Sequence, residues 1–249
     1  MLIAVFAVGF DFRPAAGQTK DYGRDLEVPA GYDLLKTVEG STRFRFGEEF
    51  TIPADFFDKG SRPFSGVVRF KGVPLGSFRD QKTGDADTVV ERQKAATFSR
   101  AGRSSVPIEL AALSLESTRP ISVQVGKEWQ QWNVKLGLSP SAKSQGTMTI
   151  SRRGEKGGTF DSEFVAYGLF TFTRTTDGAE KTLDVGSMKL EPKSIEKITL
   201  RTVRAPWSQG TTQTGANTAF RAGVTAAGVR VGFDESSRLA NHGVIAALQ

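Results

Sequence analysis

Catalysis by this chain is hardest to exclude at three carboxylates. Asp161 and Glu163 are two residues apart in a predicted strand, so their side chains share a face, and Glu109 lies in another predicted strand. Two carboxyl groups about 5–10 Å apart are sufficient for glycoside hydrolysis. Outward-facing charge opposite a phenylalanine stripe is the alternative interpretation. The three residues leave a secreted glycan hydrolase open as an alternative function, without assigning a catalytic residue.

A second group of carboxylates, Asp80, Asp85 and Asp87, lies in a short segment that contains Gly84. Calcium binds several hard oxygen ligands that a flexible loop can supply. The spacing differs from that of an EF-hand, and the positive charge of Lys82 opposes cation binding. Turn formation and helix capping are the alternative roles. A calcium-stabilised adhesion module is therefore a further alternative, and no metal ligand is assigned.

The chain lacks the residues that most other catalytic chemistries require. The chain has one histidine, His242, and no cysteine. Thiol catalysis, disulfides, cysteine-ligated metal sites and histidine-rich metal sites are therefore excluded. A serine hydrolase would have to use His242, but no G-x-S-x-G motif accompanies it. The sequence lacks a P-loop, which excludes P-loop nucleotide chemistry, and no G-x-G-x-x-G motif follows a predicted strand; no cofactor is assigned.

Trp129 and Trp132, with Gln130, Gln131 and Asn133, form a segment typical of surfaces that stack on sugars. Residues three apart in a strand point to opposite faces. Trp132 continues the apolar phase of its strand and is expected in the core, which leaves Trp129 as the exposed ring. Structural packing is the alternative interpretation of this segment.

The charge balance bears on the kind of partner. The net charge is +6, from 33 basic and 27 acidic residues. Nucleic-acid modules usually carry a basic stripe with interleaved aromatic residues, whereas the basic residues here are scattered. We expect a solvated basic surface, with an anionic or neutral polysaccharide as the partner candidate and nucleic acid disfavoured. The densest basic groups are Arg43/Arg45, Arg100/Arg103 and Arg152/Arg153/Lys156.

The first 17 residues are typical of an export signal. Residues 2–10 are apolar or small and too few to span a bilayer, which takes about 20 residues. Ala15 and Gly17 fit a cleavage site before Gln18. No basic residue precedes the apolar run, and a first buried strand is the alternative interpretation. We expect an exported protein of the extracellular space, cell surface or periplasm, without a membrane span after residue 17.

Alternating apolar residues predict an all-β protein. Phe44 and Phe46 alternate with arginines, and similar short runs are separated by Gly, Pro and Asp, a pattern typical of antiparallel sheets. With 249 residues and 18 phenylalanines, the chain can bury a phenylalanine-rich core. We expect an antiparallel β-sandwich of about eight to ten strands.

Three segments carry more specific expectations. Residues 159–174 form the longest predicted strand, with a phenylalanine stripe on one phase and a bend at Gly168. In residues 106–116 the apolar phase changes, which predicts either a β-bulge near Ala111 or Ala112 or a strand buried on both faces. Residues 88–98 begin with a capping-box pattern, so we expect one short helix there, or an irregular strand.

These patterns divide the chain into a signal peptide over residues 1–17, a β-sandwich domain over residues 18–209 and a tail over residues 210–249. Residues 210–232 are rich in Thr, Ala and Gly and have low strand propensity. We expect the tail to wrap loosely over the domain or to be partly disordered.

Four turn-plus-strand segments, residues 28–34 (VPAGYDL), 72–76 (GVPLG), 85–92 (DADTVVER) and 106–115 (VPIELAALSL), carry a family resemblance. Together they resemble a group of uncharacterised exported bacterial proteins, some of which have a C-terminal sorting tail of the Pro-Glu-Pro type. The resemblance covers residues 20–175 and implies a shared β-rich fold, with no catalytic residues to transfer. The chain ends at Gln249 without a Pro-Glu-Pro motif, so sorting through such a tail is not expected.

The predicted function is a non-enzymatic structural or binding protein of the cell surface or extracellular matrix. Neither its ligand nor its oligomeric state follows from the sequence. A flat surface with exposed aromatic rings would favour binding, whereas a cleft that holds two carboxyl groups of raised pKa would favour the hydrolase.

Overall fold

The part of the chain that the structure describes is built from β-strands, with one 3₁₀ turn at Val185–Ser187. The computed structural model describes residues 27–28, 30–35, 37, 42–47, 50–98, 102–152, 157–188, 198–209 and 231–232. The predicted signal peptide, His242 and all of the predicted tail except Val231–Gly232 lie outside these residues. The all-β prediction is confirmed.

Two seven-stranded antiparallel sheets share one hydrophobic core, in a sandwich-like arrangement. The first sheet comprises β2 (Gly31–Leu35), β7 (Thr88–Arg92), β9 (Arg103–Leu113), β13 (Gln145–Arg152), β14 (Gly157–Ala166), β17 (Ile198–Gln209) and β18 (Val231–Gly232). The second sheet comprises β3 (Thr42–Phe46), β4 (Gly66–Gly72), β10 (Leu115–Ser117), β11 (Ile121–Val125), β12 (Glu128–Leu138), β15 (Gly168–Arg174) and β16 (Glu180–Asp184). Two ribbons pair β1 (Glu27–Val28) with β8 (Ala96–Thr97), and β5 (Gly76–Phe78) with β6 (Gln81–Gly84).

Aromatic rings fill much of the core. Phe46 of β3 contacts Phe170 of β15 with ring centroids 5.3 Å apart, and Phe57 packs on Trp132 at 5.1 Å. Each ring removes a large apolar surface from water, which is the main stabilising contribution in a sandwich. The predicted stripe is buried at all four of its positions, Phe160, Phe164, Phe170 and Phe172.

The longest predicted strand is two strands that belong to different sheets. β14 ends at Ala166 and β15 begins at Gly168, so the chain crosses between the sheets at Tyr167, one residue before the predicted bend. The Tyr167 N–H donates to the Ser144 hydroxyl, and the Ser139 N–H donates to the Tyr167 carbonyl, both at 2.9 Å. The two sheets hold fourteen described strands rather than the expected eight to ten, and this crossing accounts for one of the additional strands.

The change of apolar phase in residues 106–116 is a β-bulge, the first of the two predicted alternatives. Val89 pairs with Ala112 and Val90 pairs with Leu110, so Ala111 is an extra residue in β9 opposite β7. The chain then crosses to the second sheet at Ser114, between β9 and β10. The bulge therefore lets one apolar run serve two sheets in turn.

Of the two alternatives predicted for residues 88–98, the short helix is wrong and the strand is correct. This segment contains β7 and β8, and β7 pairs with β2 on one side and with β9 on the other. Val89 and Val90 are both buried, so the strand is apolar on both faces, and β-branched residues favour that arrangement. The hydroxyl of Thr88 donates to Asp87 at 2.6 Å instead of capping a helix, and Glu91 accepts a hydrogen bond from the Tyr32 hydroxyl at 3.0 Å.

Hydrogen bonds to the carboxylate of Asp87 link the segment before β3 to the start of β7. Asp87 is 1% exposed and accepts hydrogen bonds from the Thr37 N–H at 2.7 Å and from the Thr37 hydroxyl at 2.9 Å. Gly72, at the end of β4 in the second sheet, lies against this carboxylate, and a Cβ atom there would overlap with its Oδ2 atom. The sheets therefore approach each other at a point where only a hydrogen atom fits.

Substitution of Gly72 by Ala is expected to lower the free energy of unfolding by about 1–3 kcal/mol, because Asp87 cannot move without losing its hydrogen bonds. Urea denaturation measures this loss. Gly137→Ala is the matched control, since its new Cβ would meet the Leu113 carbonyl only at an ordinary 3.6 Å. Equal stability of the two variants would contradict the close approach at Gly72.

Candidate functional site

The outward side of the second sheet carries a band of polar side chains. On β12, Trp132 and Val134 are buried and the alternate residues are exposed, because successive side chains of a strand point to opposite faces. The register places β11 and β15 on either side of β12. We call this surface the polar face. Its members are Ser122, Gln124, Trp129, Gln131, Asn133, Lys135, Thr171 and Thr173.

The two tryptophans of β12 have opposite environments. Trp132 is fully buried, whereas Trp129 is 65% exposed on the polar face. Both placements agree with the alternation predicted from the sequence. A Trp ring is a large apolar surface, so its exposure forgoes the stabilisation that burial would give. Trp129 is therefore a candidate contact residue for a ligand with an apolar surface.

Amide and hydroxyl groups surround the exposed ring in a fixed arrangement. Gln124 lies directly opposite Trp129, and its Nε2 donates to the Gly126 carbonyl at 3.1 Å. Ser122 and Gln131 form the next pair, with Gln131 Nε2 donating to the Ser122 hydroxyl at 2.8 Å. Such groups both donate and accept hydrogen bonds, as sugar hydroxyl groups do.

Arg174 holds the strands of the polar face together from behind. Its guanidinium lies 5.3 Å from the centre of the Trp132 ring and forms an ion pair with Asp58. Two further hydrogen bonds join it to Asp177, at 2.8 and 2.7 Å, and they lower the pKa of that carboxyl. Asp58 also accepts a hydrogen bond from Gln130 Nε2 at 3.0 Å. The platform under the polar face is therefore ordered before any ligand binds, which reduces the entropy lost on binding.

The polar face follows the length of β12. Residues 129–135 extend over about 20 Å, with β11 beside residues 128–132 and β15 beside residues 132–138. These dimensions suit an extended polymer better than a small, enclosed substrate.

The carboxylates that could support hydrolysis lie on the first sheet and are separated. Glu109 is on β9 and Glu163 is on β14, with β13 between them and a register offset of two residues. Two strand spacings and that offset place their Cα atoms roughly 12 Å apart. Asp161 and Glu163 project from the outer face of β14, where Phe160 and Ser162 are the buried neighbours of Asp161. The two side chains share a face, as the sequence predicts, with Asp161 partly buried and Glu163 exposed.

A pocket of about 290 Å³ lies beside Glu109 and the loop of residues 138–144. Glu109 is the one acidic residue in its lining, and its carboxylate forms an ion pair with Lys143 Nζ at 3.1 Å. Gln93 Nε2 donates to the same carboxylate at 3.1 Å. The described lining therefore supplies one carboxylate, which is already paired with Lys143. Glycoside hydrolysis requires two carboxyl groups, one as acid and one as base or nucleophile.

One carboxyl group with a raised pKa, that of Asp33, lies inside the core. Burial raises its pKa, and the neighbouring charge of Arg92 acts in the opposite direction. The Arg92 Nε donates to Asp33 Oδ2 at 2.8 Å, and Nη2 donates to Oδ1 at 3.2 Å. A closed, buried ion pair of this kind is structural and does not mark a catalytic cleft.

The three aspartates considered for calcium differ in their environments. Asp80 and Asp85 are exposed, whereas Asp87 is buried and accepts the hydrogen bonds of Thr37 and Thr88. Within the described ranges, no group of three or more potential metal-ligating side chains is close enough to hold an ion. The structure thus assigns Asp87 a structural role.

Sequence reasoning identified Arg43 and Arg45 as a dense basic group but missed Arg69. The register of β3 and β4 places Arg69 directly opposite Arg43. The only signal in the sequence is that Arg69, like the other two arginines, alternates with buried apolar residues. Which strands become neighbours cannot be read from that alternation.

Comparison with known proteins found no matching family model, no significantly similar curated protein and no significantly similar solved structure. The resemblance to exported bacterial proteins therefore stays a prediction. Among the residues that the structure describes, no helix has the length and apolar character needed to cross a membrane.

Proposed function

We propose that this chain is an exported, non-enzymatic binding protein of the cell surface or extracellular matrix, and that its polar face binds polysaccharide. The observation that carries the proposal is the 65% exposure of Trp129 among ordered amide and hydroxyl groups. An isolated exposed ring would be weak support, but this ring lies at one end of an aligned strip of hydrogen-bonding side chains.

The chemistry of the polar face matches that of a glycan. A pyranose ring has an apolar side formed by C–H groups, which can stack on the indole of Trp129, and hydroxyl groups around its rim. Gln124, Gln131 and Ser122 can exchange hydrogen bonds with those hydroxyl groups. This mode of binding requires neither an acid–base pair nor a metal ion.

The placement of the carboxylates supports binding rather than hydrolysis. Glu109, Asp161 and Glu163 lie on the first sheet, and the polar face lies on the outer side of the second sheet. A glycan held on Trp129 would therefore be remote from all three. Export is supported by the apolar residues 2–10, and the lack of cysteine suits an oxidising compartment.

Replacing Trp129 by Ala is expected to weaken polysaccharide binding about 30-fold, which corresponds to about 2 kcal/mol for a central aromatic contact. Trp129→Phe should retain part of the affinity, because a smaller ring can still stack. Affinity electrophoresis of the full chain in gels that contain dextran, galactomannan, alginate or polygalacturonate measures the effect.

Thr97→Ala serves as the control, because Thr97 is exposed on the β1–β8 ribbon, away from the polar face. Its affinity should equal that of the unmodified chain. The proposal fails if no member of the panel retards the unmodified chain, or if Trp129→Ala and Thr97→Ala bind equally well.

A further inference from the structure

We propose that the polysaccharide is acidic, and that its carboxylate groups bind to Arg43, Arg45 and Arg69, which we call the arginine cluster. This inference rests on the proposed function of the polar face and specifies the chemical class of its ligand. Of the two partner candidates that the sequence suggests, an anionic and a neutral polysaccharide, the arginine cluster favours the anionic one.

The arginine cluster lies on the same side of the second sheet as Trp129. Arg43 and Arg45 are exposed on β3, since Phe44 and Phe46 between and after them point into the core. Arg69 is exposed on β4, directly opposite Arg43. Alternation along both strands therefore directs all three guanidinium groups to the outer face.

The facing arginines are an unfavourable arrangement for the isolated protein. Like charges directly opposite each other on neighbouring strands destabilise a sheet. None of the ion pairs between described residues involves the arginine cluster. Two residues after Arg69 on the same strand, by contrast, Lys71 forms an ion pair with Glu116, with Nζ and Oε1 2.9 Å apart. A bound anion would relieve the repulsion that the fold leaves in place.

Protection of a sheet edge explains only part of the cluster. Charged side chains on edge strands prevent pairing with other chains, and β3 is an edge strand of the second sheet. Arg69, however, lies on β4, which is paired on both sides by β3 and β10. Its charge therefore needs another reason, and recognition of an anion supplies one.

The use of arginine indicates the kind of anion. A guanidinium presents parallel N–H donors that match the two oxygens of a carboxylate, whereas an ammonium group is a point charge. Uronic acid residues present such carboxylates at regular intervals along a polysaccharide.

One extended ligand can reach both the arginine cluster and Trp129. Strand spacings and residue rises place Arg69 about 15–20 Å from Trp129 across the sheet. Val67 lies opposite Arg45 and two residues from Arg69, and its side chain is 43% exposed. It offers an apolar contact to the same ligand. The stacking ring and the charged groups would thus bind different residues of the same polymer.

The test compares two double variants that each remove two exposed positive charges. Arg43→Gln/Arg69→Gln removes the facing pair, and Lys82→Gln/Lys94→Gln removes two exposed lysines outside the second sheet. Binding of the full chain to alginate, dextran and a single-stranded DNA oligomer is measured at low and high salt.

We expect Arg43→Gln/Arg69→Gln to bind alginate on the order of tenfold more weakly at low salt, and the lysine variant to bind it like the unmodified chain. The thermal midpoint of the arginine variant should be unchanged or higher, since repulsion is removed. A merely structural role of the arginines would lower that midpoint and leave affinity unaltered.

Other outcomes separate the inference from the proposed function. If dextran and alginate bind equally well and only Trp129→Ala weakens them, the arginine cluster is not a ligand contact and the polar face still binds polysaccharide. If both double variants lose alginate binding equally, the effect is one of net charge and the inference is overturned. It is also overturned if only DNA depends on Arg43 and Arg69.

Discussion

Replacing Arg92 by Met is expected to lower the free energy of unfolding by about 3–5 kcal/mol, because it leaves the buried carboxylate of Asp33 without its counter-charge. Both members of this pair are almost inaccessible to solvent, at 1% for Arg92 and 2% for Asp33. The pair joins β2 to β7, so its loss affects an edge strand of the first sheet.

The loss should be larger at pH 7 than near pH 4. Burial raises the pKa of Asp33, and removal of Arg92 removes the interaction that opposes this rise. The native state then keeps a proton that the unfolded chain releases, so stability falls as pH rises above the ordinary carboxyl pKa. Urea denaturation at both pH values measures the difference.

The double variant Asp33→Leu/Arg92→Met provides the control. Replacing a buried ion pair with apolar side chains of similar volume is often neutral or stabilising. The double variant should therefore recover most of the stability lost in Arg92→Met. A double variant as unstable as the single one would show that the loss reflects shape rather than unpaired charge.

Replacing Trp132 by Ala is expected to lower the free energy of unfolding by about 3–5 kcal/mol, whereas Trp129→Ala should change it by less than about 0.5 kcal/mol. Trp132 is fully buried and contacts Phe57 and the guanidinium of Arg174, so its removal leaves a cavity and removes a cation–π contact. The same substitution three residues earlier removes an exposed ring.

Chemical denaturation of the two variants side by side measures this contrast. Far-ultraviolet circular dichroism is the appropriate probe, because each variant also alters the tryptophan fluorescence. Similar losses in both variants would contradict the assignment of one ring to the core and the other to the polar face.

Local alternation was sufficient to predict several features of this fold. It placed Trp132 inside and Trp129 outside, and it predicted a bulge near Ala111 or Ala112 as one of two alternatives. These features depend on which way successive side chains point, a property of the extended backbone that the sequence records directly.

Features that depend on distant residues could not be predicted. The capping-box pattern at Thr88 is a local signal, and pairing of β7 with strands on both sides overrides it. Asp33 and Arg92 are 59 residues apart, and nothing in either local sequence indicates that they form an ion pair. The facing of Arg43 and Arg69 likewise requires the register of β3 and β4. Trp129, Arg43 and Arg45 could therefore be identified from the sequence, whereas the position of Arg69 opposite Arg43 could not.

Hydroxyl-radical footprinting of the full chain, with and without alginate, tests the location of the binding surface most directly. Oxidation of Trp129 should fall several-fold when alginate is present, while exposed side chains of the first sheet and of the β5–β6 ribbon should keep their rates. If Trp129 is oxidised at the same rate when the chain is saturated with alginate, the polar face is not the binding surface, because the ligand must then lie elsewhere.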